Sequence, residues 1–71
     1  MATIIKVRAR ITFQLFEHGK SLVPGPVAQK GQVMEVVDIE RRTLEGKSYD
    51  HFVVLVDGKK YYAWPPHCEK A

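Results

Sequence analysis

From Ile5 to Leu15 apolar and polar residues alternate one by one, with Ile5, Val7, Ala9, Ile11, Phe13 and Leu15 on one side and Lys6, Arg8, Arg10, Thr12 and Gln14 on the other. Extended chain sends successive side chains to opposite faces, whereas a helix would scatter these residues around its axis, so the pattern predicts one half-buried strand over residues 5–15. Between Phe16 and Lys30 the alternation stops and Gly19, Ser21, Pro24, Gly25 and Pro26 crowd together. Proline removes backbone donors and glycine opens positive φ, so this stretch is expected to be a long ordered loop. In so small a chain its apolar residues Leu22, Val23 and Val27 are expected to pack back onto the body. Gly31 ends the loop and a second strand is predicted over Gln32 to Arg42, around Val33, Met34, Val36, Val37 and Ile39. Its phase slips between Val36 and Val37, the mark of a bulge or of a strand covered on both faces, before Glu40, Arg41 and Arg42 lead it into solvent. Leu44 to Ser48, with Gly46, reads as the connecting turn.

The strongest local signal is Asp57-Gly58, set between Val53-Val54-Leu55-Val56 and Lys59-Lys60-Tyr61-Tyr62-Ala63-Trp64. A two-residue hairpin turn needs positive φ at both central positions, which Asp-Gly supplies. Counting outward from that turn pairs Val56 with Lys59, Leu55 with Lys60, Val54 with Tyr61, Val53 with Tyr62, Phe52 with Ala63 and His51 with Trp64. One face then carries Phe52, Val54, Val56, Tyr61 and Ala63 and is assigned to the core. The other carries His51, Val53, Leu55, Lys60, Tyr62 and Trp64, which is too apolar for bare surface, so either the chain or a partner covers it. Pro65-Pro66 stops the ladder, and a short 3₁₀ turn is expected through His67-Cys68.

This order of features resembles an SH3-like small barrel. The resemblance rests on the long loop after the first strand, Lys30-Gly31-Gln32 opening an apolar strand, a central hairpin with a tight turn, and an aromatic strand running into Pro65-Pro66. It implies a single all-β domain over residues 1–71, a barrel of about five strands with a C-terminal 3₁₀ turn. The signalling members of that group bind polyproline through a tyrosine-rich first strand, an acidic loop, a tryptophan opening the central hairpin and a tyrosine in the 3₁₀ turn. Here those regions read Ile11-Thr12-Phe13-Gln14-Leu15-Phe16, a loop whose one acid is Glu17, Tyr49-Asp50-His51-Phe52, and Pro66-His67-Cys68, so the resemblance extends to the architecture and not to that groove.

Composition narrows the function classes. Seventy-one residues, 45% hydrophobic and 27% charged, suit one globular core and leave little room for a deep catalytic cavity. The single cysteine excludes an internal disulfide framework, and no apolar run approaches the roughly 18 to 20 residues of a membrane span. The opening residues show no secretory pattern, so a cytoplasmic protein without membrane attachment is expected. The net charge of +3 comes entirely from Lys6, Arg8 and Arg10, since eight basic and eight acidic residues balance over the remainder.

Catalysis and metal binding find little support. His18, His51, His67 and Cys68 have no Cys-x-x-Cys or His-x3-His spacing, no base is placed to activate Cys68, and Pro24-Gly25-Pro26 lacks the spacing of a phosphate loop. Asp38 and Glu40 share a strand face, which a solvated surface beside Arg41 and Arg42 explains. No enzyme activity, cofactor or metal is therefore expected. Two surfaces remain. Tyr49, His51, Tyr62, Trp64 and Pro65 form an aromatic hairpin face suited to a protein partner, because Tyr and Trp bring large apolar area with a polar handle. The alternative is nucleic acid bound by the stripe Lys6, Arg8 and Arg10, whose side chains stand roughly 6 to 7 Å apart along one strand face. An edge strand could also pair with a second copy of the chain.

Overall fold

The computed structural model describes residues 5–71. Residues 1–4, which the expected 1–71 domain includes, lie outside the described residues. The chain runs β1 (Ile5–Ala9), β2 (Phe13–Glu17), β3 (Pro24–Ala28), β4 (Val33–Leu44), β5 (Lys47–Val56), β6 (Lys59–Ala63), a 3₁₀ turn (Pro65–His67) and β7 (Cys68–Lys70). These form one curled antiparallel sheet of seven strands, in the order β3-β2-β6-β5-β4-β1-β7. The expected count of about five strands is thus too low.

The difference arises at two places. The alternating run 5–15 is two strands, because β1 pairs with β4 and β7 whereas β2 pairs with β3 and β6, and a straight strand cannot lie in both places. The chain bends at residues 10–12, where the Arg10 N–H donates to the His67 carbonyl at 2.8 Å and Thr12 Oγ1 accepts from the Lys30 N–H at 3.1 Å. The inward phase survives the bend, since Val7, Ala9, Phe13 and Leu15 are all buried, while Ile5 at the start of β1 and the bend residue Ile11 are exposed.

The expected long loop is a hairpin whose second arm is β3. Prolines at 24 and 26 can serve in a strand here because β3 is an edge with no neighbour on its far side among the described residues. Gln14 steadies its carbonyls, its amide donating to Gly25 O at 2.7 Å and to Pro26 O at 3.3 Å. Val23 is half-buried, but Leu22 and Val27 are exposed, contrary to the expected packing, because the hairpin lies in the sheet and turns those side chains outward.

Both tight turns of the central meander have positive φ at each central residue, Asp57 and Gly58 in one, Glu45 and Gly46 in the other. The β5–β6 register is the one counted from the sequence, from Val56↔Lys59 to Phe52↔Ala63. The β4–β5 turn is tighter than Leu44 to Ser48, since Leu44 and Lys47 are already paired. The 3₁₀ turn begins at Pro65, and Cys68 already belongs to β7. On the concave side Val7, Phe13, Leu15, Met34, Val54 and Ala63 close the core, with Val36, Phe52, Val56 and Tyr61 packed against it.

β4 carries a bulge. Val36 faces Val54 and Asp38 faces Val53, leaving Val37 unmatched, as the slipped phase of the sequence indicated. After Val37 the even-numbered residues Asp38, Glu40 and Arg42 share a face with Val53, His51 and Tyr49 of β5.

Gly25 occupies a point of close approach. A Cβ there would lie 2.7 Å from Cδ1 of the Tyr61 ring, which is itself packed on the core. Gly25→Ala is expected to destabilise the fold by about 1–3 kcal/mol, since the ring or the β3 edge must shift, and a urea unfolding curve measures the loss. An unchanged midpoint would mean that the edge yields freely.

Candidate functional site

The convex face of β4, β5 and β6 carries a row of aromatic and charged side chains. Val53 and Tyr62 are cross-strand neighbours, as are Glu40 and His51, and Arg42 and Tyr49. Just past the β5–β6 ladder, the Trp64 ring lies 5.3 Å from His51 and 5.4 Å from Tyr49, the latter an edge-to-face contact at 73°. His51 and Tyr62 form a further edge-to-face pair at 6.0 Å. Such contacts favour the tilted geometry that aromatic quadrupoles prefer.

The five residues expected to meet a protein partner therefore divide. Tyr49, Trp64 and Pro65 are half-exposed, whereas His51 is 7% and Tyr62 5% exposed. The chain itself covers these two, as the apolar face allowed.

Part of that cover comes from the turn between β2 and β3. The Tyr62 hydroxyl donates to Glu40 Oε1 at 3.1 Å and accepts from the Gly19 N–H at 3.2 Å. Glu40 Oε2 lies 2.6 Å from His18 Nε2, and a carboxylate can only accept, so Nε2 carries the proton. The Arg42 guanidinium stacks 4.0 Å above the Tyr62 ring centroid and donates to the Lys20 carbonyl at 2.8 Å. His18, Glu40 and Arg42 are not among the residues the sequence assigns to the aromatic face. The slip at Val36-Val37 was the available signal, because an odd residue moves Glu40 and Arg42 onto the face of His51. Glu40 is accordingly engaged rather than free in solvent; Asp38 remains exposed, its Oδ1 accepting from the Ile39 N–H at 2.8 Å.

The basic stripe is electrically compensated. Lys6 faces Glu35 across the β1–β4 ladder, and Arg8 faces Glu69 across the β1–β7 ladder with Nη1 3.5 Å from Oε2. Arg10 donates to the Pro66 carbonyl at 3.3 Å. Acidic neighbours from two other strands weaken the field that three cations alone would give.

The third histidine stacks its ring on Phe13 at 5.2 Å. Cys68 lies beside a cleft of about 590 Å³ lined also by Ile5, Val7, Phe52, Pro65 and Lys70. Its thiol donates to the Trp64 carbonyl at 3.6 Å, and burial pushes its pKa up, which disfavours the thiolate. Among the described residues no three His, Cys, Asp or Glu side chains come together as a metal site. No helix among them is long and apolar enough to cross a membrane. Comparison with protein-family models, with curated proteins and with solved structures finds no match. What the coordinates define is a class: a small all-β protein with a curled antiparallel sheet, an apolar core on its concave side and an aromatic, charged row on its convex side.

Two groups of that row give the fold a pH dependence. Burial lowers the His51 pKa from its ordinary 6.5, favouring the neutral ring. The hydrogen bond from His18 leads the causes that lower Glu40 from its ordinary 4.5, with Tyr62, the His18 charge and Arg42 acting the same way. In both cases the unfolded chain binds more protons, so stability falls with falling pH. The His51 loss begins below about 6.5 and the Glu40 loss below about 4.5. Urea midpoints measured between pH 7 and pH 5 are expected to decline in the wild type and to flatten in His51→Phe. An equal decline in that variant would assign the slope to another group.

Proposed function

We propose that the chain is an SH3-like small barrel serving as a non-enzymatic binding module, and that it engages a protein partner through Tyr49, Trp64 and Pro65, with His51 and Tyr62 behind them. The strand order supports the architectural part. A first strand lies between β4 and β7, a hairpin interrupts the chain after it, a three-strand meander follows, and a proline-led 3₁₀ turn delivers a short last strand back to β1. A cytoplasmic site of action belongs to the same reading.

The observation that carries the functional part is the Tyr49–Trp64 edge-to-face pair, half-exposed at the margin of an otherwise covered row. Rigid aromatic side chains present large area with few rotatable bonds, and their anchors dominate binding energy at protein interfaces. The alternative, a nucleic acid on Lys6, Arg8 and Arg10, has to work against Glu35 and Glu69 beside the first two cations.

A photoreactive phenylalanine analogue at Tyr49 is expected to crosslink one protein in the native extract, whereas the same group at the exposed Val27 is expected to give no such adduct. Once that protein is isolated, Tyr49→Ala is expected to weaken its binding by about 2 kcal/mol or more, with little salt dependence. Equal labelling from both positions would defeat the reading. So would steeply salt-dependent binding of an oligonucleotide that disappears when Lys6, Arg8 and Arg10 are all replaced by Ala, an outcome that moves the site to the basic stripe.

A further inference from the structure

The turn from His18 to Val23 rests on the aromatic row, and side chains rather than a ladder hold it there. The β2–β6 pairing comprises Phe16↔Tyr62 and Glu17↔Tyr61, and beyond it the backbone contributes one long bond of 3.4 Å from the His18 N–H to the Lys60 carbonyl. The remaining attachments are His18 to Glu40, Gly19 to the Tyr62 hydroxyl, and the Lys20 carbonyl to Arg42. All three end on Glu40, Arg42 and Tyr62, the central residues of the row.

The attached state also carries two penalties. Leu22, a bulky residue exposed at 54%, is held at φ +52°, in the left-handed region that costs a side chain with a Cβ. His51 Nδ1 is sealed from water with no well-formed hydrogen bond among the described residues, on a residue directly across from Glu40. Buried polar atoms are nearly always paired, so such an atom at the centre of a candidate interface calls for a partner that the described residues do not supply. The tip itself is His18-Gly19-Lys20, and lifting it gives up the His18–Tyr62 ring contact and the cover over Tyr62 while leaving the apolar core intact.

We propose that this tip is a lid over the aromatic row: raised, it extends the partner-binding surface from Tyr49, Trp64 and Pro65 to Tyr62 and His51, and His51 Nδ1 pairs with a hydroxyl of the partner protein, a group that can donate or accept. The partner so defined lays an apolar side chain on Tyr62 and presents that hydroxyl beside it. It binds the raised form better than the lowered one and shifts the population accordingly. The inference rests on the aromatic-face reading, but the lid is open to test without any partner.

The test is amide hydrogen exchange on the full chain, with Gly19 reporting the tip and Leu15 and Val54 reporting the core. Glu40→Gln and Tyr62→Phe keep side-chain shape while removing, respectively, the carboxylate charge and the hydroxyl. In either variant Gly19 is expected to exchange about tenfold faster or more, with Leu15 and Val54 unchanged, and the His51 ring, followed by NMR, to titrate closer to its ordinary value. The lid is overturned if Gly19 keeps its wild-type rate in both variants, or if it exchanges in step with Leu15 and Val54, since the tip then opens only when the whole molecule does. Failure of the aromatic-face reading would show instead as equal crosslinking from positions 49 and 27, whatever the exchange rates.

Discussion

Val37 has no partner on β5, and that unmatched residue decides what the sheet shows on each side. Before it, Met34 and Val36 point into the concave core with Val7 and Val54. After it, the phase reverses, and Glu40 and Arg42 stand on the convex face beside His51 and Tyr49. Were Val37 paired as a regular strand residue, Glu40 would project on the core side and Ile39 on the aromatic side, the wrong chemistry in both places. A bulge also sharpens twist and bends its strand, and it lies next to Val36, where the pairing of β4 with the described residues of β1 ends. Curvature of the sheet and composition of the row therefore share one local cause.

The β5–β6 hairpin was legible to the residue because Asp57-Gly58 fixes the turn and the turn fixes the register. Pattern alone misjudged both ends of the first hairpin, for two reasons. Alternation reports which side of the chain faces the core, and that phase persists from Val7 through Leu15 although the strand breaks between them. Proline and glycine report a lost donor and a loosened backbone, which an edge strand tolerates as well as a loop does. Whether Pro24–Ala28 is an edge depends on what lies beside it, and no local signal contains that. The same holds for the site. Composition found the aromatic residues, but the cover over Tyr62 comes from the turn that lies against it, His51 is buried between the Tyr62 and Trp64 rings, and the compensation of Lys6 and Arg8 follows from Glu35 and Glu69 on strands far away in sequence.

The two faces obey different physics. The concave side is closed by aliphatic, small and aromatic residues whose contribution is set by apolar area removed from water. The convex side ties the buried Tyr62 into a mesh of oriented hydrogen bonds, where each group depends on its neighbours, with the buried His51 ring packed edge-to-face against it. Arg42 shows the coupling, since one guanidinium both stacks on Tyr62 and holds the Lys20 carbonyl. Losing one member of such a set strands the others, which makes the response cooperative over a few residues while the apolar core stays unaffected.

That separation is what a small protein needs if a part of it is to move. A chain of 71 residues has little stability to spare, so a mobile element cannot share its burial with the core. The β2–β3 turn meets this condition: its strands are anchored by Phe13, Leu15 and Ala28, while its tip is tied, among the described residues, to Glu40, Arg42 and Tyr62 and by one long bond to the Lys60 carbonyl. Sequences depart from local consistency where function demands it, and two such departures, Leu22 at positive φ and the buried His51 Nδ1 with no well-formed hydrogen bond among the described residues, occur in the turn and in the row it covers. A rigid purely structural cover would need neither, because a glycine at position 22 and an apolar residue at position 51 would remove both costs without disturbing the concave core.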